Sequence, residues 1–580
     1  MGDSTQISEP ATMGPAAVGC ASATEEDRAA AAQSDLWIFR DGRKLVSGPE
    51  MVRDLAQRTS YLAATRSHSP LDALIEAGEL EAALADGNSP SSVTASRLTD
   101  ELAFAVSSGN AVSRSAVKLA EQIDPPALVS VSPPEGFTYY ALHPLDFAKL
   151  ISRIPQEPRA CALIGIRSIG TTLSAMCAAA LKHAGRPVSR ISVRPSGHPY
   201  SRQMDFSAQE IAWIYEQLIT GAQFLVVDEG PGRSGSTFLS VAEALTRAGV
   251  GKERVTILGS RQPNPESLCA NDAASRWKAF RFISTTPSMN SRFENCTYAG
   301  GGYWRYFLLS SGHNWPESWT QMERLKFISP DGRSLFKFEG IGPRGAEVRE
   351  RAFVLAEADL SPKVSDSGDG FLEYEIRKGA LIGAGDLSSA MLEHMAGYCA
   401  FRWSHFPARE SAAAELKQML EFNVRQEFGV EISIPEDAFS TDAPILADGR
   451  IAPYEWIATD QKFLKADAIS HGDDHFFPGP CDIAWDIAGI AIEWNLDSQA
   501  RQHLLSEFRK RTGRDVGSHL PFYLLSYSVF RLGFCKMGIS TVGGSREEPR
   551  LRAAYQHYRA RAEQILKQTV ASDSAMNRAA

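Results

Sequence analysis

The stretch Phe224–Thr237, FLVVDEGPGRSGST, decides how the chain is read. Four apolar residues, Phe224 to Val227, read as a short buried strand of a parallel sheet. Two acids, Asp228 and Glu229, follow directly, and then a turn rich in Gly and Ser. From Phe238 to Ala248 apolar residues recur at helical spacing, and Gly249 is a natural helix stop. The order strand, glycine loop, helix aims backbone N–H groups and a helix N-terminus at an anion, usually a phosphate.

The same alternation extends on both sides, between about residues 130 and 290. ACALIGI precedes the helix TTLSAMCAAALKHAG. The strand SRISVRP, a helix near SAQEIAWIYEQL and the strand RVTILGS complete the series. Such β-α-β alternation implies a doubly wound parallel α/β sheet with ligands at the carboxyl ends of its strands. Upstream, LWIFRDGRKLVSG reads as two strands about an Asp41–Gly42 turn, and SPLDALIEAGELEAALADG as a helix capped by Ser69. Downstream, residues 296–322 are rich in Gly and aromatics and form a junction. The pattern then changes to a hairpin turning at Asp331–Gly332, a helix over GAEVRERAFVLAEA, the strand GFLEYEIRKG and a mostly helical remainder with an acid-rich loop from about 440 to 482.

At 580 residues the chain calls for more than one core. Its 43% hydrophobic and 22% charged residues are those of a globular protein. A net charge of −9 argues against nucleic acid or an acidic membrane as the main partner. No apolar run is long enough to span a bilayer, and the first 34 residues read as a disordered tail without a signal-peptide pattern. Eight cysteines are scattered without a C-x-x-C pair, which suits buried free thiols in a reducing cytoplasm. Small-molecule ligands are the expected partners, and homo-oligomerisation through the aromatic junction stays open.

The strand–acid–acid–loop–helix order of 224–248 resembles the phosphoribosyl pyrophosphate (PRPP) binding motif of the type I phosphoribosyltransferases. The resemblance implies that Asp228 and Glu229 accept from the two ribose hydroxyls. The loop Gly232, Arg233, Ser234, Gly235, Ser236 and Thr237 would cradle the phosphate. LIGIRSIGTTLSA, residues 163–175, resembles the family's diphosphate-binding loop, with Arg167, Ser168 and Gly170 as its counterparts. ISVRPSGHPYSRQM lies where the family carries a flexible closing loop, which implies roles for His198 and Arg202 at the leaving diphosphate. LGSRQPNPES, residues 258–267, would help bind the acceptor. Mg²⁺ on the diphosphate is implied as well.

In the second half Lys337 stands among apolar strand residues, an expensive place for an amine without an anion. Glu350 follows on a helix. This order, with the linking strand and helical remainder, resembles the aminoglycoside and choline kinase-like phosphotransferases. The resemblance implies Lys337 on ATP phosphates, Glu350 orienting it, a hinge over 371–379, Asp448 as base, Asp467 as Mg²⁺ ligand and Asp486 as a structural acid. Five residues after Asp448, where that family has Asn, this chain has Pro453, with Glu455 the nearest polar side chain. The cluster His471-Gly472-Asp473-Asp474-His475 is an alternative source of metal ligands.

The expected architecture is therefore a doubly wound parallel-sheet phosphoribosyltransferase-like domain followed by a two-lobed, kinase-like α+β domain. The expected boundaries are a disordered tail over 1–34, an N-terminal extension or helical cap over 35–129, the transferase-like domain over 130–295, the junction over 296–322, the kinase-like domain over 323–565 and a flexible tail over 566–580. The expected activity is transfer of a 5-phosphoribosyl group from PRPP to a small acceptor, coupled to phosphorylation of a related molecule. Two alternatives stay open at this point: a PRPP- or nucleotide-sensing regulator without turnover, and a small-molecule kinase carrying a phosphosugar-binding domain.

Overall fold

The computed structural model describes residues 43–579 apart from 66–69, 158–159, 199, 310–314, 378–379, 460–461, 470 and 475, and leaves out the side chains of 290, 380–381 and 569–579. The tail over 1–34, the Asp41–Gly42 turn, the Ser69 cap and His475 lie outside the described residues.

Five parallel strands form the first sheet: β3 (Cys161–Ile166), β4 (Val188–Val193), β5 (Gln223–Val227), β6 (Val255–Gly259) and β7 (Arg281–Ser284), in the order β4-β3-β5-β6-β7. Residues alternate between two buried faces. Cys161 and Leu163 of β3, with Leu225 and Val227 of β5, enter one core; Ala162, Ile164, Phe224 and Val226 enter the other. Burial on both faces is why these strands read as continuous apolar runs.

Before this sheet, β1 (Lys44–Ser47) pairs antiparallel with β2 (Leu128–Val131). Between them run helices α1 (Gly48–Thr65), α2 (Leu71–Asp86), α3 (Ser92–Ser108) and α4 (Arg114–Gln122). A one-turn helix α5 (Glu135–Thr138) and α6 (Pro144–Leu150) lead into β3. Helix α7 (Ile169–His183) follows β3, α8 (Ala208–Ile219) follows β4 and α9 (Ser236–Arg247) follows β5. The extension packs on α7: Ala175, Met176 and Ala179 join the core of α2 and α3. A Cβ on Gly78 of α2 would sit 2.0 Å from Thr172 Oγ1, so the two helices touch backbone to side chain.

The second half is built on an antiparallel sheet, order β11-β12-β10-β9-β8, comprising β8 (Thr297–Tyr298), β9 (Lys326–Ile328), β10 (Ser334–Phe338), β11 (Val364–Gly368) and β12 (Phe371–Glu375). It begins inside the stretch read as a junction. Helix α10 (Gly342–Glu357) follows β10, and a small sheet joins β13 (Ala380–Leu381), β14 (Trp456–Ala458) and β15 (Phe463–Lys465). The helical part contains α11 (Ser389–His405), α12 (Ala413–Phe428), α13 (Ala484–Glu493), α14 (Ser498–Thr512), α15 (Leu520–Val542) and α16 (Glu548–Ala579). That last helix continues through the residues expected to form a flexible tail.

One core belongs to both halves. Phe137, Phe147, Leu163 and Leu225 share it with Phe293, Phe327, Phe338, Ile341 and Phe371. The seven described cysteines are free, and five of them are buried.

Candidate functional site

After β3 the chain crosses to β4 on one side, then returns past β3 to β5 on the other. The neighbouring carboxyl ends of β3 and β5 are thus a topological switch point, the crevice where such sheets bind ligands. The two loops singled out in the sequence meet there. A Cβ on Gly170 would lie 2.5 Å from the Val227 carbonyl oxygen and 3.3 Å from Asp228 Oδ1, so the turn after β3 is seated against the acid pair. Ser168, ahead of α7, has φ of 96°, a left-handed conformation that costs a non-glycine residue strain and concentrates at functional sites.

Asp228 and Glu229 ionise reluctantly. Burial lifts the Asp228 carboxyl to about 7, against backbone N–H donors of Glu229 and Gly170 and the charge of Arg194. Burial, then Glu135 and Asp228, lifts Glu229 to about 8, opposed by Arg261 and by the Gly136 N–H. The loop after them is built for close approach. Gly235 has φ of 68°, the Ser236 N–H donates to Ser234 Oγ at 3.2 Å, and Gly232 and Arg233 are exposed. Ser236 and Thr237 open α9, at the positive end of its dipole.

Arg167 is paired within the protein: its Nη1 is 3.2 Å from Asp86 Oδ1 and its Nη2 donates to the Ser192 carbonyl at 3.1 Å. Arg194 holds the same Asp86 with Nη2 at 2.5 Å from Oδ2. His198 is exposed and accepts from the Tyr200 N–H at 3.2 Å. Arg202 donates to the Gly197 carbonyl within a small turn closed by a Ser196–Gln203 bridge. Among the described residues neither His198 nor Arg202 bonds to the acids. The sequence reading missed Asp86, Arg194 and Gly136, which come from other elements and carry no local motif.

The second cluster lies at β10 and β15. Lys337 Nζ is 2.8 Å from Asp467 Oδ1 and 3.0 Å from Glu339 Oε1. Glu339, two residues along the same chain, takes the place expected of Glu350, which is exposed on α10. The buried charged side chain of α10 is Arg351, paired with Asp473. Asp448 is fully buried: Tyr398 Oη donates to Oδ2, the Arg450 N–H donates to Oδ1 at 3.3 Å, and Lys465 Nζ is 3.7 Å from Oδ1. That enclosure is a poor setting for a base that must reach a substrate. Asp486 accepts from the Asp448 and Gly449 N–H groups at 3.0 and 3.1 Å and so anchors their turn.

Glu455, Asp467 and His471 offer ligand atoms within 4.8 Å of one another. Their oxygens are already taken by cations: Lys465 Nζ is 2.8 Å and Arg450 Nη2 2.6 Å from Glu455, and Lys337 holds Asp467. These neighbours hold both carboxyls well below the usual range despite burial. With three cations in place, the set as arranged does not fit Mg²⁺.

No family model matches the chain, and no curated protein does. Among solved structures, a choline/ethanolamine kinase family protein from Mesorhizobium loti is 14% identical over 42% of this chain and 85% of its own, with a TM-score of 0.30. A choline kinase from Streptococcus pneumoniae is 14% identical over 43% and 92%, TM-score 0.29. An aminoglycoside 2'-phosphotransferase-IIIa in its GDP complex is 12% identical over 44% and 92%, TM-score 0.29. No described helix is long and apolar enough to cross a membrane.

Proposed function

We propose that the first site binds Mg²⁺–PRPP and transfers its 5-phosphoribosyl group to a small-molecule acceptor. One observation carries the reading: the turn of Arg167, Ser168 and Gly170 and the acids Asp228 and Glu229, with their glycine loop, converge at the switch point of a parallel sheet. A ligand lying across them presents its sugar hydroxyls to the carboxylates, its 5-phosphate to Ser234–Thr237 and its diphosphate to the Ser168–Gly170 turn. The bond from the anomeric carbon to the diphosphate oxygen breaks, and its electron pair leaves with pyrophosphate. A lone pair of the acceptor forms the new bond at that carbon, and the acceptor gives up its proton. The carboxylates then face a sugar gaining positive charge, the state they stabilise best.

The acid pair suits such a ligand, since hydroxyl donors relieve two carboxyls that burial pushes up, Glu229 further by the charges of Glu135 and Asp228. Mg²⁺ enters on the substrate and supplies charge neutralisation of the leaving diphosphate. Calorimetric titration of the wild-type protein and of Asp228→Asn/Glu229→Gln with Mg²⁺–PRPP tests the proposal. Micromolar binding lost in the variant is expected, and absence of binding to folded wild-type protein would sink it.

A second reading, a small-molecule kinase using ATP, draws on the contact between Lys337 and Asp467 at 2.8 Å. The outward Glu350 and the enclosed Asp448 count against turnover there. ATP consumption without PRPP consumption would favour this reading over the first. A sensor without turnover would bind PRPP and release no pyrophosphate with any acceptor.

A further inference from the structure

A buried arginine of the second half reaches the first site's acid through one short helix. Arg324, just ahead of β9, is 9% exposed. Its Nη1 donates to the Thr138 carbonyl at 3.0 Å, at the C-terminal end of α5, and its guanidinium lies 5.4 Å from the centre of the Tyr139 ring. Its Nε is 3.9 Å from Glu339 Oε2, while Nη2 has no hydrogen-bond partner among the described residues. An unmet buried donor is costly, and such groups call for an explanation beyond packing.

The other end of α5 meets Glu229. The Gly136 backbone is seated against its carboxylate, and the Gly136 N–H lowers its pKa. A Cβ on Gly136 would stand 2.8 Å from Glu229 Cδ and Oε2, so only glycine allows the approach. A single helical turn has little stability of its own, so what holds its last carbonyl helps hold the Gly136 N–H two residues earlier. A second tether supports it: the Ile341 N–H, at the start of α10, bonds to the Phe137 carbonyl at 2.9 Å.

We propose that Arg324 is a positioning residue for Glu229, fixing through α5 the Gly136 N–H that holds the first site's acid. The inference rests on the reading of Asp228 and Glu229 as sugar-binding acids. The charged and titratable groups around Glu229 are Glu135, Asp228 and Arg261, with Tyr140 raised in part by Glu229 itself. Without the Gly136 N–H, burial and the two like charges act on Glu229 opposed by Arg261 alone, and it ionises at higher pH.

The test is calorimetric titration with Mg²⁺–PRPP across neutral and mildly alkaline pH. Arg324→Met should weaken binding about tenfold at neutral pH, the equivalent of one unit of pKa, and affinity should recover as pH rises. Arg324→Lys, which keeps a donor for Thr138, should restore most of the affinity. Arg333→Met, at an exposed side chain, should leave affinity and profile unchanged. A folded Arg324→Met protein with wild-type affinity and pH profile would overturn the proposal. Should the Met variant not fold, Arg324→Leu, which likewise removes every donor, takes its place with the same expectations. If wild-type protein does not bind Mg²⁺–PRPP, the proposed function falls, and the positioning role is read without ligand. Glu229→Gln should then stabilise the Arg324→Met protein over a different pH range from the wild type. Equal pH-dependent gains in both backgrounds would overturn it.

Discussion

Asp228 and Glu229 show what the site costs at the scale of one residue. Burial, the leading cause, pushes their carboxyls up to about 7 and about 8 in the fold, against 3.8 and 4.5 ordinarily. A raised carboxyl means that the folded chain holds protons the unfolded chain has released. These groups therefore withdraw stability as pH rises from about 4 to about 8, and the loss is complete above that. Asp228→Asn/Glu229→Gln should melt several degrees above the wild type at mildly alkaline pH and level with it at acid pH, measured by thermal unfolding. A variant less stable than wild type in the alkaline range would refute this. The acids were legible because they follow a strand directly. The partner of Lys337 was not: the order of strand lysine and helix glutamate pointed to Glu350, whereas Glu339, fully buried just past the strand, lies 3.0 Å away.

Among the elements, the turn from β3 into α7 does the most to shape the first site. Gly170 allows that turn to lie against the end of β5, where an added Cβ would be 2.5 Å from the Val227 carbonyl. Gly170→Ala must push backbone against backbone. It should lower the melting temperature and abolish Mg²⁺–PRPP binding. Gly232, by contrast, is exposed and has nothing within 4 Å of where its Cβ would be, so Gly232→Ala should change stability by less than about 0.5 kcal/mol. Equal losses in both variants would show that the seated turn is not what matters. Helix α2 was legible from its apolar spacing. Its part in the site was not, because Asp86 at its end holds Arg167 and Arg194, which lie far along the chain.

The molecule as a whole is joined by a common core rather than strung together. Phe338 and Phe371 of the second half are fully buried in the cluster that also holds Leu163 and Leu225 of the first. The Gly342 N–H donates to Asp72 of α2 at 3.0 Å, and Arg292 pairs with Asp369 at 3.0 Å. Cutting the chain at the expected boundary should leave apolar surface bare on both pieces. The full chain should unfold in one calorimetric transition, while residues 43–295 alone should bind a hydrophobic dye and lack that transition. Two separate transitions in the full chain, with a cleanly folding fragment, would show the halves to be independent.

By itself the sequence determined the elements whose residues interact locally. These are the apolar strands, the helix spacings, the hairpin at Asp331–Gly332 and the acid pair at the end of its strand. Periodicity, turn chemistry and capping act within a few residues, so they are written in order along the chain. Only the tertiary structure decided which charges meet. Asp86 and Arg194 come together from positions 108 residues apart, Arg324 and Thr138 from 186, and Lys337 and Asp467 from 130. Such pairings follow from how the layers stack, and no local pattern encodes them.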